Sequence, residues 1–310
     1  NGIVHVPFTL PGEVVNAAVN GPRGTIMSLL ESVPERVEPM CRHFETCGGC
    51  VVQHWQREAM LAWKSSLVSD ALKSRGIECV LQPIVAANPG ERRRATFTVR
   101  EAGGRKQVGF NAAQSHDVIE ITECAVASPQ IIEALPLVRS LANLLTVRKD
   151  GGHIAVTWTE SGLDIALSGI DAPKPDQRRQ LADFALKRGL ARLAHDLDII
   201  LEPKRPIIHF GSVPVTPPPG GFLQAVASIE DAMAASVKDH FGKAKKALDL
   251  FAGSGAFTFR LAASVPVHAM EGDKAAVAAL DRGRRGLDRR ARIRPAAPGK
   301  ARGRGGADRP

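Results

Sequence analysis

Lys246-Ala-Leu-Asp249-Leu-Phe251-Ala-Gly253-Ser-Gly255-Ala-Phe257-Thr-Phe-Arg-Leu-Ala262 is the stretch on which a fold assignment turns. It reads as a buried strand, a glycine turn and a helix, which is how a Rossmann-like sheet presents a nucleotide site at the carboxyl end of its first strand. Gly253 and Gly255 let the backbone pass close to a ligand. A Gly-x-Gly turn alone is shared by several nucleotide-binding classes. The next run, Val265-Pro-Val-His-Ala-Met-Glu271-Gly-Asp273, reads as a second strand ending in an acid sixteen residues after Gly255. A carboxylate there can take both ribose hydroxyls, so S-adenosylmethionine (SAM) and NAD both suit the geometry.

Upstream, the proline-rich join Pro214-Val-Thr-Pro217-Pro-Pro-Gly-Gly221 marks a domain boundary and leads through Phe222-Leu-Gln224 into a helix up to about His240. Downstream, a helix begins after Asp273. From Asp281 onward the periodicity is lost and large apolar side chains nearly vanish, so residues 281–310 are expected to be a disordered basic tail. Ten Arg and one Lys against three Asp place +8 of the chain's net +9 in that tail, and the other 280 residues are nearly neutral. A tail rich in arginine and glycine can bind RNA unspecifically. Its abrupt start inside a domain reads as a shifted frame or a damaged gene.

Three of the five cysteines fall in Cys41-Arg-His-Phe-Glu-Thr-Cys47-Gly-Gly-Cys50. Two glycines let the backbone turn so that the thiolates converge on an inorganic cluster. Cys124, after an apolar run and shortly before a proline, is the better fourth ligand, while Cys79 reads as strand packing. Zinc usually takes two close pairs, a disulfide framework is denser, and a radical-SAM triplet is spaced more tightly than Cys41 and Cys47. A [4Fe-4S] cluster is the favoured reading, with structural zinc and unligated thiols left open.

The string from Cys41 through Cys-Val-Val-Gln53-His54 resembles the cluster motif of the bacterial uracil-5 RNA methyltransferases, and among them the 23S rRNA subgroup. The order Asp-Leu-Phe-x-Gly-x-Gly-x-Phe from Asp249 is similar to the SAM motif of the methyltransferases, Val-Pro-Phe-Thr-Leu-Pro-Gly-Glu from Val6 to the core of a TRAM domain, and Arg-Arg-Arg-Ala from Arg92 to the central domain. The likeness extends to about Asp273. It implies a SAM-dependent enzyme that forms 5-methyluridine in rRNA, with Cys41, Cys47, Cys50 and Cys124 holding the cluster. It also implies SAM contacts from Gln224, Asp249, Phe251, Gly253, Gly255 and Glu271. Arg92, Arg93 and Arg94 are the expected RNA-binding residues. One departure is Ala256, where the 23S enzymes often place asparagine.

The fold expected is therefore α/β and multidomain: a partial oligonucleotide-binding-type (TRAM) β-barrel over 1–36, an α+β cluster-bearing domain over 37–215, and an incomplete Rossmann-like SAM domain over 216–280. Within the middle domain, residues 56–75 read as an amphipathic helix ended by Gly76, 91–100 as a strand, 129–145 and 175–190 as helices, and 153–168 as a hairpin around Glu160-Ser161-Gly162. His116, His153, His195 and His209 lack ligand spacing and read as ordinary histidines. No run of 18 apolar residues exists, and reduced thiols point to a monomeric, cytoplasmic protein without membrane contact.

Carbon 5 of uracil is a poor nucleophile. Enzymes of the resembling family add a thiolate to carbon 6, attack the SAM methyl from the resulting enolate, and remove the carbon-5 proton with a base. No cysteine follows Cys124, and the family's Asp-Pro-Pro-Arg and Ser-Cys-Asn-Pro loops have no counterpart, so no residue is assigned as catalytic and the chain is expected to be catalytically incomplete. A non-catalytic iron–sulfur RNA-binding protein is the alternative.

Overall fold

The structure, a computed structural model, describes residues 2–285, and the expected basic tail lies outside them except for its first five residues. The first four of those continue a helix and Arg285 caps it. The chain folds into two compact units, Asn1–Thr157 with Leu167–Leu181, and Trp158–Ala166 with Ala182–Pro310.

The first unit opens with β1 (Val14–Asn20) and β2 (Arg23–Glu31), an antiparallel hairpin. A barrel is not shown: among the described residues these strands form a two-stranded sheet, joined at Arg23 by one parallel bridge to His5. Met27 and Leu30 stand 71% and 57% exposed. Two strands cannot enclose a core, so the alternation that signals a barrel here leaves its apolar side chains on the surface.

Helix α1 (Arg57–Lys73) forms where the spacing predicts it and stops before Gly76, which takes φ +70°. Its amphipathic reading fails. No residue of α1 is buried, and the intended stripe residues Leu67 and Val68 are half exposed. Cys79 is likewise exposed in an irregular segment and packs in no strand.

The core of this unit lies on β3 (Arg94–Ala102), β4 (Arg105–Asn111) and β5 (Val118–Ile119), together with helices α2 (Pro129–Glu133) and α3 (Leu135–Ala142) and strand β6 (Gly152–Thr159). The strand order is β5-β4-β3-β6, with β3 antiparallel to both neighbours. In β3, Ala95, Phe97 and Val99 point inward while Thr96 is exposed, as period-2 alternation requires. The single helix expected over 129–145 is two. Pro136 has no N–H to donate backward and its ring clashes with the preceding turn, so the backbone breaks at Ala134 and restarts.

Strand β7 (Gly162–Ser168) closes the predicted hairpin with β6, and Gly162 at φ +118° accepts a 2.7 Å bond on its carbonyl from the Thr159 hydroxyl. The chain passes from unit to unit within β6, β7 and helix α4 (Pro175–Lys187).

The second unit continues with β8 (Arg192–His195), β9 (Asp198–Leu201), β10 (Ile208–Phe210), β11 (Val213–Val215) and helix α5 (Ala227–Phe241). Then come β12 (Ala247–Leu250), helix α6 (Ala256–Ala262), β13 (Val267–Met270) and helix α7 (Lys274–Arg284). One core gathers Ile208, Phe210, Leu223, Ala252, Phe259 and Leu280. The same unit holds a buried ion pair: Arg192 donates to both oxygens of Asp164 at 2.8 and 2.7 Å and to the Pro217 carbonyl at 2.9 Å. Among the described residues no helix is long and apolar enough to cross a membrane.

Candidate functional site

The strand, turn and helix predicted from Lys246 onward are all present. Strands β12 and β13 pair in parallel, from Ala247 opposite Val267 to Leu250 opposite Met270, so their carboxyl ends lie side by side. The Ala252 N–H donates to the Met270 carbonyl at 3.0 Å and carries the pairing into the turn. Here the backbone becomes left-handed three times, at Phe251 (φ +60°), Gly253 (φ +57°) and Gly255 (φ +101°). Gly255 caps α6, and a Cβ placed on it would sit 2.5 Å from the buried Phe259 ring. Gly253 instead has open space where its Cβ would be, which leaves room for a ligand against the backbone.

Glu271 ends β13 beside this turn. Its carboxylate accepts from the Gly253 N–H at 2.7 Å, from Gly272 at 2.7 Å and from Asp273 at 2.8 Å. These bonds, the one from Asp273 foremost, hold its carboxyl below the usual range. The acid therefore ties the two strand ends together. Asp273 in turn caps α7, accepting from the Ala276 N–H at 2.7 Å. Asp249 is half-buried on β12 and accepts a 2.5 Å bond from the Thr258 hydroxyl. Burial pushes its carboxyl up, against the pull of that bond. Thr258 was missed in the sequence; its signal is a polar residue on the first turn of a helix whose neighbours Phe257 and Phe259 are apolar.

Phe251 stands 90% exposed at the end of β12. Leu223 packs in the same core as Ala252, which anchors the segment carrying the half-buried Gln224 to the floor of the glycine turn.

The cysteines form a second centre, in the first unit. The loop from Cys41 to Cys50 is fastened on two sides. The Arg42 N–H and guanidinium donate to Glu123 at 2.8 and 2.9 Å, and the Thr122 N–H donates to the His43 ring at 2.9 Å. Cys47 bridges to Ala112, and the Gly48 N–H donates to the Asn111 carbonyl at 2.9 Å. A Cβ on Gly48 would lie 2.9 Å from backbone atoms of Asn111 and Ala113, so only glycine permits this seating.

The loop is thus placed against the irregular segment 122–124 that follows β5 and ends in Cys124. Burial pushes the Cys47 thiol up against the pull of the Gly49 N–H, and Cys50, Cys124 and Cys41 push it further. Their placement is not a closed ligand set: among the described residues no group of three or more His, Cys, Asp or Glu side chains stands in position to hold a metal ion.

Arg92 forms an isolated parallel bridge with Ala127, in the segment that follows Cys124. Its N–H donates to the Val126 carbonyl at 3.1 Å, and its own carbonyl accepts from Ser128 at 2.9 Å. Arg94 is depressed by burial and by the charges of Arg92 and Arg93, which marks the three as one concentrated positive group.

His209 sits 2.5 Å from Glu160 and His195 3.7 Å from Asp196.

An RNA methyltransferase of uncharacterized specificity from Brucella suis is 52% identical over 283 residues, covering 91% of this chain and 68% of its own length. A 23S rRNA (uracil(1939)-C(5))-methyltransferase from Pectobacterium atrosepticum is 30% identical over 275 residues, covering 84% of this chain and 61% of its own. Among solved structures, the tRNA (uracil-54, C5)-methyltransferase of Pyrococcus abyssi, in complex with S-adenosyl-L-homocysteine, superposes with a TM-score of 0.69 at 18% identity over 94% of this chain and 74% of that one, which is a likeness of fold. No protein-family model matches the chain.

Proposed function

The chain belongs to the RNA methyltransferase family in which the Pectobacterium uracil-5 enzyme also falls, and from that premise we propose that it serves the methylation of uracil carbon 5 in RNA, with ribosomal RNA as substrate and SAM as methyl donor. The observation that carries the reading is the glycine turn at the adjoining ends of the parallel β12 and β13, with Glu271 drawn onto the Gly253 N–H. In this site Gly253 allows close approach of SAM, Glu271 and Asp249 face its polar groups, and Phe251 and Gln224 border it. In the chemistry of such enzymes a thiolate added to uracil carbon 6 makes carbon 5 nucleophilic enough to take the methyl group, and a base then removes the carbon-5 proton. Neither role is assigned to a residue of this chain.

Titration of the chain with SAM, competed by S-adenosylhomocysteine and by NAD, tests the cofactor; tight binding of NAD instead of SAM overturns it. With methyl-labelled SAM and unmodified ribosomal RNA, any label transferred should be recovered as 5-methyluridine after digestion. Label in another nucleoside overturns the carbon-5 reading.

In the same reading Cys41, Cys47, Cys50 and Cys124 hold a [4Fe-4S] cluster. Its support is the donor set: Cys41, Cys47 and Cys50 in one fastened loop, Cys124 among the groups that act on the Cys47 thiol, and Cys79 exposed. Bound there, the cluster would cross-link the 41–50 loop to the segment at Cys124. Anaerobically purified protein should contain about four irons with a charge-transfer absorption band, as a cluster held by four thiolates gives. Cys47→Ser should abolish it and Cys79→Ser should not. Equal iron in the Cys47 variant and the parent rules the site out.

RNA is held in this reading by Arg92, Arg93 and Arg94. Replacing all three by Gln should weaken RNA binding and flatten the dependence of log affinity on log salt by about 2. An unchanged slope means that these arginines touch no phosphate.

A further inference from the structure

Thr258, on the first turn of α6, is a fully buried polar residue. Its neighbours in the chain enter two different apolar clusters: Phe259 joins Phe210 and Leu280, while Phe257 packs against that of Ala247, Leu261 and Val267. A valine has the same shape and brings no hydroxyl to satisfy, and burying a hydroxyl is costly unless it is bonded. Here it is bonded. The Thr258 hydroxyl donates to Asp249 Oδ2 at 2.5 Å, and the Thr258 N–H donates to the same carboxylate.

This contact crosses from helix to strand. A threonine in a helix often returns its hydroxyl to the carbonyl one turn back, whereas this one reaches a carboxylate nine residues earlier, on β12. Asp249 stands two residues before Phe251, where the left-handed backbone of the glycine turn begins. Two donors from one residue, both to a carboxylate, fix its direction as well as its place.

The surroundings otherwise oppose the charge. Burial pushes the Asp249 carboxyl up, the two Thr258 bonds pull it down, and Glu271 at the end of β13 pushes it up again. Arg260 of α6 is committed to Glu230 and Asp231 of α5, Asp273 caps α7, and His268 alternates to the exposed face of β13. Among these influences Thr258 is the one that favours the ionised form. SAM carries a sulfonium and an ammonium cation, so an ionised carboxylate at this strand end favours it and a protonated one does not.

We propose that Thr258 is a positioning residue for the cofactor site: its hydroxyl and N–H hold the Asp249 carboxylate in place for the cationic cofactor. The inference rests on the reading of the glycine turn as a SAM site, and it adds a residue that is itself too buried to touch a ligand.

The test uses the full chain and calorimetric titration with SAM over the acid-to-neutral range. Thr258→Val keeps the shape and removes the hydroxyl, and Thr258→Ser keeps the hydroxyl. Thr258→Val should bind SAM about tenfold more weakly, the size expected for one lost hydrogen bond to a charged group, while Thr258→Ser stays within about twofold of the parent. The ratio of variant to parent dissociation constants cancels the titration of SAM itself. That ratio should be largest at acid pH and shrink as pH rises, because without the hydroxyl Asp249 keeps its proton to higher pH. In the background of Asp249→Asn, which retains an acceptor oxygen but cannot ionise, Thr258→Val should cost less than about twofold more.

This pattern, in a Thr258→Val protein that melts with the parent, supports the role. An equal loss in both backgrounds, or a ratio that does not move with pH, means that Thr258 only joins helix to strand; either result overturns the inference and leaves the SAM reading intact. Parent-level affinity in Thr258→Val does the same. A Thr258→Val protein that melts well below the parent leaves Asp249→Asn as the deciding variant. A loss there at neutral pH that closes on acidification supports the role, and parent-level affinity at neutral pH overturns it. Failure of the parent to bind SAM at all overturns both readings.

Discussion

Arg192→Met should lower the melting temperature of the second unit by about 10 °C, the size expected when a buried ion pair loses one partner at about 3–5 kcal/mol. Arg192 is 2% exposed and Asp164 5%, so neither water nor a neighbouring side chain can replace the lost guanidinium. Removing it strands a carboxylate in the core and also releases the Pro217 carbonyl of the join that leads to Gln224.

The pH dependence has a definite sign. Burial raises the Asp164 carboxyl, with Arg192 pulling the other way, and deleting Arg192 removes that pull. A raised carboxyl means that the folded chain holds its proton more tightly than the unfolded chain. Stability is therefore present at low pH and lost as pH rises through the raised folded value. The deficit of Arg192→Met should then shrink on acidification. The double variant Asp164→Leu with Arg192→Met removes the buried carboxylate together with its partner and leaves only the partly exposed Glu202 without its 3.6 Å contact. It should recover most of the lost temperature, since matched apolar replacements of buried pairs are often neutral. A single variant that melts with the parent would show that the pair does not contribute to the second unit's stability.

Gly255→Val should weaken SAM binding by about 100-fold in calorimetric titration, equivalent to about 2.7 kcal/mol. Two effects combine. At φ +101° a β-branched residue is strained, and its Cβ would lie 2.5 Å from a Phe259 ring that is itself 2% exposed and locked in the core. The backbone must shift, and with it the Gly253 N–H that reaches Glu271. Gly253→Ala is the control. It also has a left-handed backbone but nothing within 4 Å of the added carbon, so its loss should be about fivefold, the strain of a left-handed alanine alone. A Gly253→Ala protein that binds SAM worse than Gly255→Val would mean that open space at Gly253, and not packing at Gly255, decides the site.

Local pattern was enough for the elements whose partners are close in the chain. The strand at Ala247, the turn and the helix after it follow from an apolar run meeting glycines, and the hairpin around Gly162 from alternation meeting a turn residue. The amphipathic reading of α1 went wrong, and the stretch 1–36 shows a hairpin where a partial barrel was expected, for a common reason: periodicity shows which side chains could be buried, while burial needs a second surface to cover them. At α3, one proline overrode a continuous helical pattern by its missing N–H.

The sequence by itself determined that a glycine turn follows a buried strand, that three cysteines sit within one loop, and that an acid ends the next strand. Only the tertiary structure decided what these groups do to one another. Glu271 turns onto three backbone N–H groups, the 41–50 loop is seated on Asn111 and Glu123, and Arg192 meets Asp164 across 28 residues. Thr258 was visible only as one polar letter between two phenylalanines. Its partner depends on which acceptor the fold brings within reach of a buried hydroxyl, and that is a property of three-dimensional packing.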